Sequence, residues 1–568
     1  MDDLPDALTR LAARLETLER RVEALERSSG ASLETSVAAP DAQGTPSQPP
    51  EAGGTASIAL AGGAFQVLGK AMLGIAGAYL LRAVAESTSL PKLGVAGIAI
   101  AYAMFWLVAA TRAPAGAWFA STTYACTSAL ILAPMLWELT LRFNVLPAAA
   151  TAGVLGAFIC AATALAWKRD LASVFWVANA AAALVAVALS IATHEVLPFV
   201  AVLLLMVLLC EYAAARNHGL GVRFLVAAAA DVAIWALIFI YSSAQSTRAD
   251  YPPLGTAALL APALTLFGIY CVSVAVKTAL LRQKITAFET IQTTIAFLLA
   301  ASSVFYFEPH GAVVVGIVCL ILSAANYAVV FVVFDRSPER RNYKVFSTWS
   351  AALLLAGCVL CLPPMWIVAC LGVASVTATL LGVRLSRPAL QFHGLVYLLA
   401  AAVASGLAAF VFSTLAGALP AAPSMSVCVV SACAILCYAA GKPCPGERWE
   451  EQLFSFVFAT LAVVATAAWV VEGMMGLMAL SVSPGPHHLA FIRTLTICAA
   501  ALALAFSGAH WRRMELTRIG YAALALVAAK LVFEDMRQGH LEFIAASIFL
   551  FAVTLIAVPR IARMGPRA

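Results

Sequence analysis

The sequence predicts an all-α fold: a polytopic transmembrane helical bundle of about 18 spans in repeated hairpins, preceded by a cytoplasmic coiled-coil helix. Three observations predict it, namely composition, the recurrence of long apolar segments, and the placement of basic residues between them. Of 568 residues, 62% are hydrophobic and 11% charged, with a mean hydropathy of +0.92. Soluble proteins carry about 25% charge, so this chain lacks the polar residues to cover a water-facing surface. The net charge of +6 is small for the length. No basic stripe with interleaved aromatics accompanies it, so no nucleic-acid partner is expected and the lipid bilayer is the expected surroundings. The 13 cysteines fall almost wholly inside apolar runs and read as small packed hydrophobes.

Residues 1–27 form the first element. Asp2 and Asp3 open the chain without a basic region and apolar core, so no cleavable signal peptide is expected. Leu4, Leu8, Leu11, Leu15, Leu18, Val22 and Leu25 recur at alternating spacings of three and four, which is a heptad seam. With Leu8, Leu15 and Val22 at a, Arg14 and Arg21 fall at g and Glu19 and Glu26 at the following e positions. Those pairs suit a parallel self-associating coil or a protein partner, while a lone amphipathic helix on a membrane or protein surface is the alternative. Residues 28–57 are rich in Ala, Pro, Gly, Ser and Thr, lose all periodicity, and read as a disordered tether.

Residues 58–568 form the multi-span domain. Apolar runs fall near 62–84, 93–111, 117–140, 147–166, 172–192, 197–214, 222–242, 255–276, 286–306, 311–334, 346–362, 365–383, 390–414, 421–441, 453–471, 489–509, 518–533 and 542–559. Pro147, Pro253, Pro388 and Pro420 mark helix starts, and Pro363-Pro364 makes the tightest turn. Small residues such as Gly94, Gly97, Ala101, Gly153 and Gly156 are expected to let helices pack closely.

Of the 35 Lys and Arg residues, only Arg82, Lys92, Arg142, Arg248, Arg493, Lys530 and Arg537 fall on the side opposite the basic loops. By the positive-inside rule the basic side is cytoplasmic, both termini lie there, and the span count is even. Several spans read as one hairpin unit: an outward helix, a short loop poor in Lys and Arg, and a return helix ending in Arg. Arg82 with Glu86, and Lys530 with Glu534, form i,i+4 couples at matching external ends of the first and seventeenth spans. Each couple reads as a surface pair or as part of a vestibule.

The coil, the polar tether, the stretch LGKAMLGIAGAYLLRAVAE from Leu68 to Glu86 and RIGYAALALVAAKLVFED from Arg518 to Asp535 resemble a bacterial predicted-membrane-protein family, domain of unknown function 2339. Ser89-Leu90-Pro91-Lys92 stands where members carry a Trp-Gly-Pro-like turn. The resemblance implies a many-span protein of the bacterial cytoplasmic (inner) membrane and carries no functional residue with it.

Ionisable residues at mid-span cost about 2.5–3.5 kcal/mol on insertion scales and so point to a role. Asp231, central in the seventh span, reads as a proton or cation relay or as a neutral group bonded to a neighbouring helix. Glu289 lies in the first turn of its helix, where it complements the dipole. His393 reads as a satisfied polar contact or a ligand, and Glu138 and Arg493 as residues that reach the interface from span ends. Met474, Met475 and Met478 with His487 and His488 offer thioether and imidazole donors of the kind that bind Cu(I), although an apolar interfacial segment explains them more simply.

No Gly-rich phosphate loop, Gly-x-Ser-x-Gly elbow or HExxH helix occurs, so neither enzymatic activity nor a cofactor is expected. Two readings remain. One is a transporter or channel-like protein in which Asp231 contributes to coupling. The other is a non-catalytic membrane scaffold, oligomerised or docked through its N-terminal coil.

Overall fold

The computed structural model describes residues 54–87, 91–114, 117–216, 220–244, 248–334, 340–417, 423–441, 449–481, 485–537 and 540–563. The expected coil and residues 28–53 of the tether lie outside them. The chain divides into two units, Met1–Gln66 and Val67–Ala568. In the first, helix α1 (Gly54–Ser87) begins at Gly54, so the last four residues assigned to the tether are helical.

The described residues form helices and connecting turns, with no strand among them. After α1 come α2 (Lys92–Thr111), α3 (Trp118–Trp137), α4 (Ala148–Arg169), α5 (Ala172–Thr193), α6 (Val196–Ala215), α7 (Arg223–Ser242), α8 (Thr256–Ala275) and α9 (Ala287–Phe307). They are followed by α10 (Gly311–Val329), α11 (Arg340–Cys361), α12 (Pro364–Arg384), α13 (Pro388–Ser405), α14 (Leu407–Leu415) and α15 (Met425–Ala440). The last four are α16 (Trp449–Ala479), α17 (Pro486–His510), α18 (Met514–Phe533) and α19 (Leu541–Arg563). Sixteen of these are long and apolar enough to cross a membrane. Large apolar side chains such as Leu73, Leu184, Phe239 and Phe549 stand exposed on the outer surface, as they do in a protein whose solvent is lipid.

Two expected spans differ in the structure. The run 390–414 is broken at Gly406, whose φ of +75° caps the end of α13 and starts the nine-residue α14. Continuous hydrophobicity concealed that break, because a left-handed glycine ends a helix without a polar residue. The run 421–441 yields the 16-residue α15, shorter than a full crossing. Its start is fixed by Ser424, whose hydroxyl accepts from the Val427 amide at 3.4 Å.

The hairpin unit also differs. The closest neighbours in sequence are helices joined across basic turns, such as α8 with α9, α12 with α13 and α17 with α18, whereas α7–α8 and α11–α12 touch far less. Three basic turns share one backbone. Asp170, Ser386 and Arg512 have φ of 53°, 54° and 56°, and the residue after each begins the next helix in near-extended geometry. The amides of Leu171, Arg387 and Arg513 donate to the carbonyls of Ala166, Gly382 and Gly508 at 2.9, 2.8 and 3.0 Å. Each bond closes a C-terminal capping motif. A Cβ on Gly382 would lie 3.2 Å from the Arg387 carbonyl and 2.9 Å from the Gln391 amide, and one on Gly508 would meet the equivalent Arg513 and Thr517 atoms at 3.2 and 3.0 Å. The glycines are therefore what allows the returning helix to approach.

Of the small residues expected to serve as packing contacts, Gly94, Gly97 and Gly153 have nothing within 4 Å of an added Cβ. Close approach falls instead at Gly357, where an added Cβ would lie 2.9 Å from the Gly316 carbonyl, and at Gly394, where one would lie 3.0 Å from the Ser375 carbonyl. The largest buried cluster runs from Ala103 to Ala300, across α2–α9, and a second from Ala351 to Ala468 across α11–α16.

Candidate functional site

Helices α6 to α9 bring four buried charges together. Glu211 stands one turn before the end of α6 and Arg223 is the first residue of α7, positions where the helix dipoles disfavour both signs. They compensate each other through a two-pronged pair, Arg223 Nε to Glu211 Oε1 at 2.5 Å and Nη2 to Oε2 at 2.6 Å. Lys277 lies on a π-helical turn (Val276–Leu280) that prolongs α8, and its Nζ donates to Glu289 Oε1 at 2.7 Å. Glu289 also closes a capping box with Thr286, whose backbone amide donates to Oε2 at 2.8 Å.

Cross-contacts complete the quartet. Arg223 reaches Glu289 at 3.4 Å, Lys277 reaches Glu211 at 3.5 Å, and the Ser273 hydroxyl donates to Glu211 at 2.5 Å. The Arg223 guanidinium also lies 4.4 Å from the centre of the Phe288 ring. All four charged side chains are at most 7% exposed, and the two acids balance the two bases. Burial at this depth is tolerated only because every charge has a partner.

Asp231 stands eight residues beyond Arg223 on α7, about 12 Å along the axis. Gln292 stands three residues beyond Glu289 on α9, on the same face as that acid. The buried Gln292 amide donates to both Asp231 oxygens at 2.8 Å. Among the described residues no cation pairs with Asp231, so a neutral amide alone supports this half-buried carboxylate. The helix pair α7–α9 thus carries a closed ion cluster at one end and an uncompensated acid farther in.

A second cluster joins α14, α17 and α18 at ends of the helices not linked by basic turns. Arg493, 1% exposed, donates to the carbonyls of Thr414, Ser413 and Gly417 at 2.6, 3.1 and 2.6 Å and to Glu534 at 2.7 Å. It thereby satisfies the free carbonyls at the end of α14. Lys530 uses three donors, on Ala490 O at 2.8 Å, Thr494 Oγ1 at 2.9 Å and Asp535 Oδ1 at 2.5 Å. The expected Lys530–Glu534 couple survives only as a 3.5 Å contact, because Asp535 takes the lysine and Arg493 the glutamate.

Arg82 pairs with Glu138 of α3's terminal π-turn at 2.9 Å, and the Glu86 side chain lies outside the described ones. His393 is buried, with Nδ1 3.0 Å from the Tyr327 hydroxyl, which in turn lies 2.8 Å from that of Tyr397. Its Nδ1 therefore has a hydroxyl partner within the bundle. Met475 packs into an apolar cluster with Val471, Leu489 and Ile492, flanked by Met474 and Met478. The rings of His487 and His488 lie 4.0 Å apart, and that of His487 lies 4.2 Å from that of His540. Among the described residues no group of three or more His, Cys, Asp or Glu could hold a metal ion.

Asp231 and Glu289 were legible in the sequence as separate candidates. Glu211, Arg223 and Lys277 were not, since each lies at a helix end where a charge normally meets the interface. The available signal was two acids and two bases at the linked ends of four successive helices. Comparison with protein-family models, with curated proteins and with solved structures gives no match to this chain.

Proposed function

We propose that this integral membrane protein is a proton-coupled transporter of a bacterial inner membrane, with Asp231 as the group that gains and releases the proton. In this reading the chain crosses the membrane 18 times, α13 and α14 together making one broken span, with both termini cytoplasmic. The basic residues then keep to alternate turns. The observation that carries the proposal is the support of Asp231 by the Gln292 amide alone, beside a quartet in which every acid has a cation. A carboxylate held by a neutral donor can change protonation without leaving a buried cation uncompensated, whereas the quartet cannot.

Liposomes containing the full chain and an internal pH-sensitive dye, given an imposed pH gradient and membrane potential, test this. Proton uptake above that of empty liposomes, abolished in Asp231→Asn, is the expected result. Wild-type uptake equal to that of empty liposomes favours a scaffold docked through the N-terminal coil and overturns the transport reading.

A further inference from the structure

A cavity of about 250 Å³ opens between α1, α2 and α3. Its walls owe their separation to small side chains, Ala78, Ala96 and Ala99, and to Pro134, which removes a backbone donor from α3. Leu130, which lines it, is 60% exposed, so the mouth lies on the apolar outer surface of the bundle. Apart from Tyr79 the walls are otherwise apolar, and among the described residues the charged ones lining the cavity are Arg82 and Glu138, paired at 2.9 Å with side chains 39% and 20% exposed. Arg82 lies five residues before the end of α1 and Glu138 opens the π-turn that follows α3, so in the proposed orientation both fall near the level where headgroups meet the hydrocarbon.

We infer that this cavity binds one zwitterionic phospholipid of the phosphatidylethanolamine class, an acyl chain filling the apolar pocket and the headgroup spanning the Arg82–Glu138 pair. The guanidinium offers the planar fork that fits a phosphate, and the carboxylate accepts from a primary ammonium. Side by side, the two complement a headgroup with the same two charges adjacent. An anionic headgroup without the ammonium brings its phosphate beside Glu138 with no cation of its own to offset that carboxylate, which selects against it. The inference is independent of any transport activity.

Native mass spectrometry of the full chain, released from micelles containing equal amounts of phosphatidylethanolamine and phosphatidylglycerol with the same acyl chains, tests it. One retained ethanolamine lipid, favoured about tenfold over the glycerol lipid, is expected from a charge-assisted contact of roughly 1.4 kcal/mol. Glu138→Gln brings the ratio close to one while a lipid is still retained, and Ala96→Phe, which fills the pocket, removes the lipid. Equal retention of both lipids by the wild-type chain overturns the inference, as does an Ala96→Phe protein that keeps the same lipid. If Ala96→Phe does not fold, the wild-type and Glu138→Gln ratios decide.

Discussion

Each buried charge in the α6–α9 quartet depends on the other three. Arg223→Met leaves Glu211 and Glu289 facing only Lys277, and a buried pair broken from one side costs about 3–5 kcal/mol. Denaturant titration of the solubilised protein should show that loss. Adding Glu211→Leu to the same chain should recover most of it, because charge balance returns. A similar effect for the single and double variants would mean that the quartet is hydrated. Local pattern made Asp231 legible, since an acid between Ala230 and Val232 has no reason to sit at mid-span except a role or a bond. The quartet was harder to see, because its members lie 12 to 78 positions apart and become neighbours only through helix packing.

The turns and the broken span are the elements that set the geometry. The shared turn of Asp170, Ser386 and Arg512 holds an ordinary residue in left-handed backbone, at about 1–2 kcal/mol, so Arg512→Gly should stabilise the protein by roughly 0.5–1 kcal/mol after glycine's entropy is subtracted. Gly508→Ala in the same turn should destabilise it, since the new Cβ meets Arg513 and Thr517 at 3.2 and 3.0 Å. Melting temperatures of the two variants should move in opposite directions. Arg493 caps α14 in a way lysine cannot imitate, because a single ammonium cannot reach three carbonyls and a carboxylate in a planar fork. Arg493→Lys should accelerate amide hydrogen exchange in 407–415 and leave α4–α6 unchanged. Helix positions were legible from apolar run length. The break at Gly406 and the pairing of helices across basic turns were not, since a hydrophobic run carries no record of φ or of which neighbour a helix chooses.

For the whole molecule, the apolar outer surface suits a bundle held in a bilayer, and the alternation of basic turns supports the proposed orientation. With native cysteines replaced, Arg512→Cys should react with an impermeant thiol reagent only from the cytoplasmic side, and His540→Cys only from outside; both positions are exposed. Labelling of both from one side would contradict the orientation. In the proposed orientation the quartet anchors the cytoplasmic ends of four helices, Arg493 and Lys530 anchor the external ends of three others, and Asp231 is an acid held by a neutral amide. The central claim is that Asp231 exchanges a proton within the membrane, and infrared difference spectroscopy of the lipid-reconstituted protein on acidification measures it most directly. A protonated-carboxyl band that appears in the wild-type chain and is missing in Asp231→Asn is the predicted result; the same band at the same intensity in both proteins would contradict it.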